Sequence, residues 1–225
     1  MTDAHCHVSA GDPALREFLI GRDFIGIHPW ETCGAQSPTV DSQLSILGSH
    51  LASSGHVGVG EIGLDRLMER EVPQIMRDVF AAQLKLAAEF HRPVVLHGAK
   101  CWGQVVKTIQ ALVPHSSYTI PSFLFHGFSR SDGLIPDIVK LNGFISVGPA
   151  VLNDHAVNYR KLAQKIPADR LLVETDRTVE NAGDCPPVGA VAAKLAELRG
   201  LTLAELEALV DANADRFVRT LKETV

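Results

Sequence analysis

Seven short apolar runs separated by helical stripes, six of them carrying a histidine or an acid at or beside their end, predict an α/β chain folded as a TIM-like (β/α) barrel. The 225 residues fit one large domain, residues 1–225, and 46% hydrophobic against 21% charged residues is enough for a full core. Strand–helix alternation along one chain means parallel strands with crossover helices. The alternation alone also suits an open doubly wound sheet. What favours the barrel is that His7, His28, Glu61, His97, His126 and Asp176 each stand at or just past the end of an apolar run. In a (β/α) barrel those ends converge on one mouth, where active sites are built.

The apolar runs cover residues 2–7, 24–28, 57–62, 93–97, 122–126, 144–147 and 171–176. They are rich in Val, Ile, Leu and Phe, as strands covered on both faces require. The first helix starts at Ser37-Pro38, where Ser can cap and Pro suits the first turn, and carries Val40, Leu44, Leu47 and Leu51 on one face. After Pro73, Ile75, Val79, Ala82, Leu86 and Phe90 make a second stripe. Shorter stripes run over 134–141, 157–166 and 188–198. Gly200 stops the last of these, and Thr202-x-x-Glu205 is a capping box that opens the next helix. A final helix is expected from near Asn213, using Phe217, Val218 and Leu221.

Composition excludes some functions. With 21 basic and 26 acidic residues the net charge is −5, so affinity cannot come from a broad basic surface. Nucleic acid would have to be held by a local patch or by metal ions. No apolar run approaches the ~20 residues that span a bilayer, and the N-terminal stretch does not read as a secretory signal. The four cysteines (Cys6, Cys33, Cys101, Cys185) are scattered without a Cys-x-x-Cys pair, which predicts reduced thiols in a cytoplasmic protein.

The chemistry lies in the strand ends. His5 and His7 are two apart on a strand, so both side chains face one way and can bind one ion as neutral imidazoles. Glu61 can bridge two ions with its two oxygens; His97 and His126 complete the second ion's shell, and Asp176 the first. The expected cofactor is a pair of divalent ions (Zn²⁺, Mn²⁺, Mg²⁺ or similar). Four imidazoles weigh toward the first two, because an oxygen-only Mg²⁺ cage would use fewer. Two ions about 3.5–4 Å apart can hold a hydroxide between them, with Asp176 orienting it or taking its proton. Each piece alone has an ordinary structural explanation; the convergence at successive strand ends favours the metal centre.

The strings Asp3-Ala-His5-Cys-His7, Gly26-Ile-His28-Pro29, Gly60-Glu61-Ile-Gly-Leu-Asp65, Pro93-Val-Val-Leu-His97, Phe125-His126-Gly-Phe128-Ser129, Glu174-Thr175-Asp176 and Asn213-Ala-Asp-Arg-Phe217 resemble the TatD-type metal-dependent hydrolases of the amidohydrolase-like barrels. They span nearly the whole chain in family order. The resemblance implies one ion at His5, His7, Glu61 and Asp176 and a second at Glu61, His97 and His126. It also implies a hydrolase acting on ester bonds, most directly a deoxyribonuclease cleaving phosphodiesters with a metal-bound hydroxide. The competing expectations are hydrolysis of a small phosphoester, acyl ester or amide, and a metal-binding barrel with no activity. The partner is accordingly DNA or a small ester, with no membrane.

The sequence departs from the family in three places. Only residues 8–22 lie between the His-x-His strand and the Gly-x-His-Pro strand, enough for a short helix but about one βα unit too few. The barrel is therefore expected to be incomplete or distorted, open beside its first strand, with a homodimer covering that edge. Ala99 stands where the family carries an Arg two residues after the fourth-strand His; Lys100 is next to it, but a Lys cannot reproduce a bidentate fork on phosphate. Asp176 is followed by Arg177-Thr178 rather than Ala-Pro, and Trp30 replaces a frequent His. His28, Lys100 and Arg177 are the expected substrate contacts.

Overall fold

The computed structural model describes residues 1–32, 37–53, 55–67, 70–112 and 119–219. The described strands are β1 (Thr2–Cys6), β2 (Arg16–Leu19), β3 (Phe24–Ile25), β4 (Gly58–Asp65), β5 (Val94–Ala99), β6 (Phe123–Phe125), β7 (Gly143–Val147) and β8 (Leu171–Val173). β1 pairs with β2, and β3 to β8 form a six-stranded sheet in chain order, all parallel. Backbone contacts join the two sheets on both sides. A parallel bridge links Ile20 to Phe24, while past β8 the Asp176 amide donates to the His5 carbonyl at 3.1 Å and the His7 amide to the Arg177 carbonyl at 2.8 Å. The strands thus follow one another round a barrel-like ring whose ladder is interrupted at two joints.

The helices are α1 (Ser37–Ala52), α2 (Gln74–Glu89), α3 (Trp102–Leu112), α4 (Ile135–Lys140), α5 (Val157–Lys165), α6 (Val188–Arg199) and α7 (Leu203–Val218). One helix each follows β3 to β7, and two follow β8. The seven expected strands are all present. The stretch between the first two of them corrects the expectation: it holds β2, not a short helix, so what the barrel lacks there is crossover helices and not a strand. Glu17 makes the short connection feasible by accepting from the Ser9 hydroxyl at 2.5 Å and the Ala10 amide at 2.7 Å.

β2 pairs with β1 beside the first strand, and the homodimer expected to cover an edge there is without support. Arg16 on β2 turns instead to Asp215 and Thr2, and the exposed large hydrophobics all lie beyond residue 23. Two further differences concern helices. α3 was absent from the expected elements, and α7 is one continuous helix where two were expected. Asn213 does not open a helix: its side-chain amide donates to the carbonyls of Ala168 at 2.8 Å and Leu171 at 2.7 Å, pinning α7 to the start of β8. Leu221, and the Ser37 side chain expected to cap α1, lie outside the described residues.

Side-chain alternation divides the core into two layers. Ala4, Phe18, Phe24, Val95, Leu124, Phe144 and Leu172 come from seven different strands and pack with Ala214 and Phe217 of α7, which places them inside the ring. The Phe217 ring stacks on Phe24 at 5.7 Å, and its carbonyl accepts from Ser122 at 2.5 Å, so α7 plugs the N-terminal end of the barrel. β4 gives this layer no side chain because Gly60 lies against Val95, where a Cβ would stand 2.7 Å from the Val95 Cβ. The alternate residues, among them Val59, Ile62, Leu96, Phe125 and Val173, face outward to the helices. Among the described residues no helix is long and apolar enough to cross a membrane, and Cys6, Cys101 and Cys185 are free thiols.

Candidate metal centre

One layer above the apolar plug, inward positions become polar. Two strand irregularities aim the first residues. β1 shifts register between Asp3 and Cys6, and β4 between Val59 and Ile62. Val59 and Ile62 both pack in the outer core although three residues apart, which only a bulge between them allows, and the bulge delivers Glu61 to the interior. His97 follows from inward Val95, and His126 from inward Leu124, by simple alternation. Asp176 sits just past β8 with φ 50°, a left-handed conformation that Asp tolerates better than most residues.

All six expected ligands converge. Glu61 is buried with its oxygens divided between two groups. Oε2 lies 3.7 Å from His5 Nε2 and 3.5 Å from His7 Nε2, and Asp176 Oδ1 lies 3.4 and 3.6 Å from the same two nitrogens. Oε1 contacts His126 Nε2, lies 2.7 Å from His97 Nδ1 and 3.7 Å from His28 Nε2. Sets of His5–His7–Asp176, His5–Glu61–His126 and His28–Glu61–His97 each bring three ligand atoms within 4.8 Å of one another. His28, expected as a substrate contact, therefore joins the cluster itself, its ring edge-on to His97 at 4.7 Å.

The geometry offers a test of fit. Two ligand atoms about 2.1 Å from a tetrahedral ion stand about 3.4 Å apart. The four separations on the Oε2 side, 3.4 to 3.7 Å, have that length and are too long for hydrogen bonds. His5 is fully buried, yet neither ring nitrogen has a hydrogen-bond partner, a costly arrangement without a cation. Burial, and then the neighbouring His126, push the His5 imidazole down to about 4, so it is neutral and offers a lone pair. These residues fit a divalent ion. On the Oε1 side the shorter separations are hydrogen-bond lengths, so an ion there would replace shared protons.

Electrostatics agree. Burial opposes the charge on Glu61, but His126 and its hydrogen bond outweigh burial and hold the carboxyl well below its usual range. In return, Glu61 overcomes the burial of His126 and holds that imidazole up at about 10. Burial likewise raises Asp176, but its contact with His5 prevails and keeps it ionised.

Three further acidic side chains lie beyond these candidate ligands. Asp65 ends a β4 longer than expected. Its Oδ2 lies 2.8 Å from His97 Nε2 and accepts from Trp30 Nε1 at 2.8 Å, so it holds the imidazole. Glu174 accepts from the Gly127 amide at 2.7 Å and from Ser146, and burial pushes it up to about 7. Asp3 accepts from the Thr175 amide and hydroxyl at 3.0 and 2.6 Å. Those contacts tie β1 to the Asp176 turn.

Lys100 lines a cleft with His97 and His126. Arg177 does not line the clefts beside Asp176: its guanidinium donates to the Ala182 and Cys185 carbonyls at 2.9 and 3.3 Å, inside its own loop. Trp102 is buried against Phe125 and Phe128, a core residue.

The family model described as TatD related DNase matches residues 21–219. The protein called 3'-5' ssDNA/RNA exonuclease TatD from Klebsiella pneumoniae (strain 342) is 32% identical over 208 residues, covering 87% of this chain and 74% of its own. The uncharacterized metal-dependent hydrolase YabD from Bacillus subtilis (strain 168) is 28% identical over 172 residues, 72% of this chain and 65% of its own. The chain thus spans about two thirds to three quarters of the length of these relatives. Among solved structures, YJJV, a TatD homolog from Escherichia coli k12, superposes with a TM-score of 0.72 at 25% identity, covering 92% of this chain and 78% of its own.

Proposed function

Since the chain belongs to the TatD-related DNase family and is a hydrolase by that membership, we propose that it is a dinuclear divalent-metal-dependent phosphodiesterase acting on nucleic acid strands. The observation that carries this reading is the set of four separations of 3.4–3.7 Å around His5, His7, Glu61 and Asp176, the spacing of ligands about one ion. His5, His7, Glu61 and Asp176 would hold one ion, and Glu61, His97 and His126, with His28 beside them, the other. Divalent ions bound there supply Lewis acidity and a water deprotonated near neutral pH.

The chain's own groups do the rest. Asp65 lies against His97 Nε2 at 2.8 Å, which leaves Nδ1 as the nitrogen turned toward Glu61. Asp176 is ionised and half exposed at 48%, and it lines all three clefts around the cluster. A water entering from any of them meets a carboxylate able to take its proton. Glu174 holds the Gly127 amide and so fixes the turn after His126. Nucleic acid as substrate is supported by the relatives named as exonucleases.

The test is a substrate panel on protein loaded with Mn²⁺, Mg²⁺ or Zn²⁺: single- and double-stranded DNA, RNA and a chromogenic phosphodiester. Hydrolysis of nucleic acid that falls about 10²–10⁴-fold in Asp176→Asn supports the reading. Turnover of the small diester alone would make the protein a small-phosphoester hydrolase. No turnover of any substrate, or Asp176→Asn indistinguishable from wild type, would overturn the proposal.

A further inference from the structure

The three clefts that meet at Asp176 differ in charge. One, of about 390 Å³, is lined by His7, His28, Trp30 and Val179 among others and contains no Lys or Arg among the described residues. The other two, of about 660 and 640 Å³, share Ser129 and Arg130, and the larger adds Lys100 beside His97 and His126. Lys100 and Arg130 are the only described Lys or Arg residues lining these three clefts.

Neither cation has an ion pair or hydrogen bond among the described residues, and both are exposed. Several basic residues elsewhere are engaged: Arg160 with Asp154, Lys165 with Asp132, and Arg177 with carbonyls. The backbone aims the two. Lys100 stands three residues after His97 and Arg130 four after His126, in the loops that follow the paired strands β5 and β6. Their φ angles of 55° and 58° are left-handed, which side chains other than Gly, Asn and Asp rarely adopt. In a chain of net charge −5, two unpaired cations flanking one cleft beside the metal cluster form a local anion site.

We propose that Lys100 and Arg130 clamp a phosphate next to the scissile one, so that the substrate is a strand with at least two phosphates and continues along the Lys100–Arg130 side. The proposal rests on the phosphodiesterase reading. Arg130 supplies a planar fork that can take two phosphate oxygens, and Lys100 a point charge lining the same cleft. The cation-free cleft, with Trp30 54% and Val179 78% exposed, is left for the uncharged part of the terminal unit.

The experiment compares Lys100→Ala, Arg130→Ala, the double variant and a charge control, Lys161→Ala, on the exposed face of α5. Kinetics are read on a single-stranded oligonucleotide and on bis(p-nitrophenyl) phosphate, which has one phosphate. Binding of a phosphorothioate oligonucleotide is followed by fluorescence anisotropy against salt. The expected result is an oligonucleotide KM raised about tenfold by each single variant and about a hundredfold by the double. The preference for oligonucleotide over small diester falls by the same factor, and the salt slope drops by about 0.7 per cation removed. Lys161→Ala leaves all of these as in wild type.

Unchanged oligonucleotide KM and salt slope in the double variant, with an active wild type, would overturn the clamp and leave the hydrolase reading standing. A wild type that hydrolyses neither substrate but binds oligonucleotide with a Lys100- and Arg130-dependent salt slope would uphold the clamp and sink the hydrolase reading.

Discussion

Glu61 is the residue whose two oxygens face both halves of the cluster, Oε2 toward His5 and His7 and Oε1 toward His97 and His126. Glu61→Ala should therefore lose both ions, while His126→Ala should lose mainly the one on the Oε1 side. Metal content by mass spectrometry decides, and loss of a single ion in both variants would contradict the assignment. A second prediction concerns protons. In the fold Glu61 holds His126 up at about 10, above its ordinary 6.5. A folded pKa above the unfolded one stabilises fully below the unfolded value and is lost as pH rises through the folded one. Metal-stripped protein should thus lose denaturation stability between pH 7 and 10, and ion uptake near pH 7.5 should release protons, measurable by calorimetry in buffers of different ionisation enthalpy. Uptake with no buffer dependence would show that His126 is already neutral. The six candidate ligands were legible because five stand at or beside the end of an apolar run and His5 shares a strand face with His7, patterns that need no tertiary information. Asp65 and Glu174 were not, because their partners depend on how far β4 extends and on which strand faces which.

At the scale of elements, the pairing of β4 with β5 sets His97. Gly63 has φ 149° and lies opposite His97, where a Cβ would stand 2.0 Å from the His97 carbonyl oxygen. Gly63→Ala should cost about 2 kcal/mol or more and, by shifting His97, also lower metal content. Thr202→Ala offers the contrast. It removes one side of the capping box of α7, in which the Thr202 hydroxyl accepts from the Glu205 amide. The cost should be about 1 kcal/mol, a Tm drop of about 2–4 °C for a chain this size, with metal content and activity as in wild type. Equal metal loss in both variants would mean that Gly63 acts only through global stability. The capping box was readable because its chemistry is local. β2 was not: Arg16-Glu17-Phe18-Leu19 has no β-branched residue, and Leu15, Phe18 and Leu19 at i, i+3 and i+4 imitate a helical stripe. Asn213 misled for the opposite reason, since a good cap residue here makes tertiary hydrogen bonds to Ala168 and Leu171.

Across the whole molecule the barrel interior is stacked, with the α7 plug at the N-terminal end, the apolar ring above it and the candidate metal ligands at the mouth. Barrel class was legible because strand ends and polar residues coincide. The joints between the two sheets were not, because they rest on single backbone bonds such as Asp176 N to His5 O, which leave no pattern in the sequence. The layering yields a final prediction about independence. Phe217→Ala empties the plug between Phe24, Phe18 and Phe144 and should destabilise by about 3–5 kcal/mol. Saturation with divalent metal at a hundred times its dissociation constant should stabilise by about 2.7 kcal/mol per site. Phe217 touches none of the six ligands, so the two effects should add to within about 0.5 kcal/mol, as distant sites do. The measurement is chemical denaturation of wild type and Phe217→Ala, each with metal and with chelator. If the metal increment disappears in Phe217→Ala, the plug sets the ligand geometry through the strands, and the interior responds as one unit instead of as separate layers.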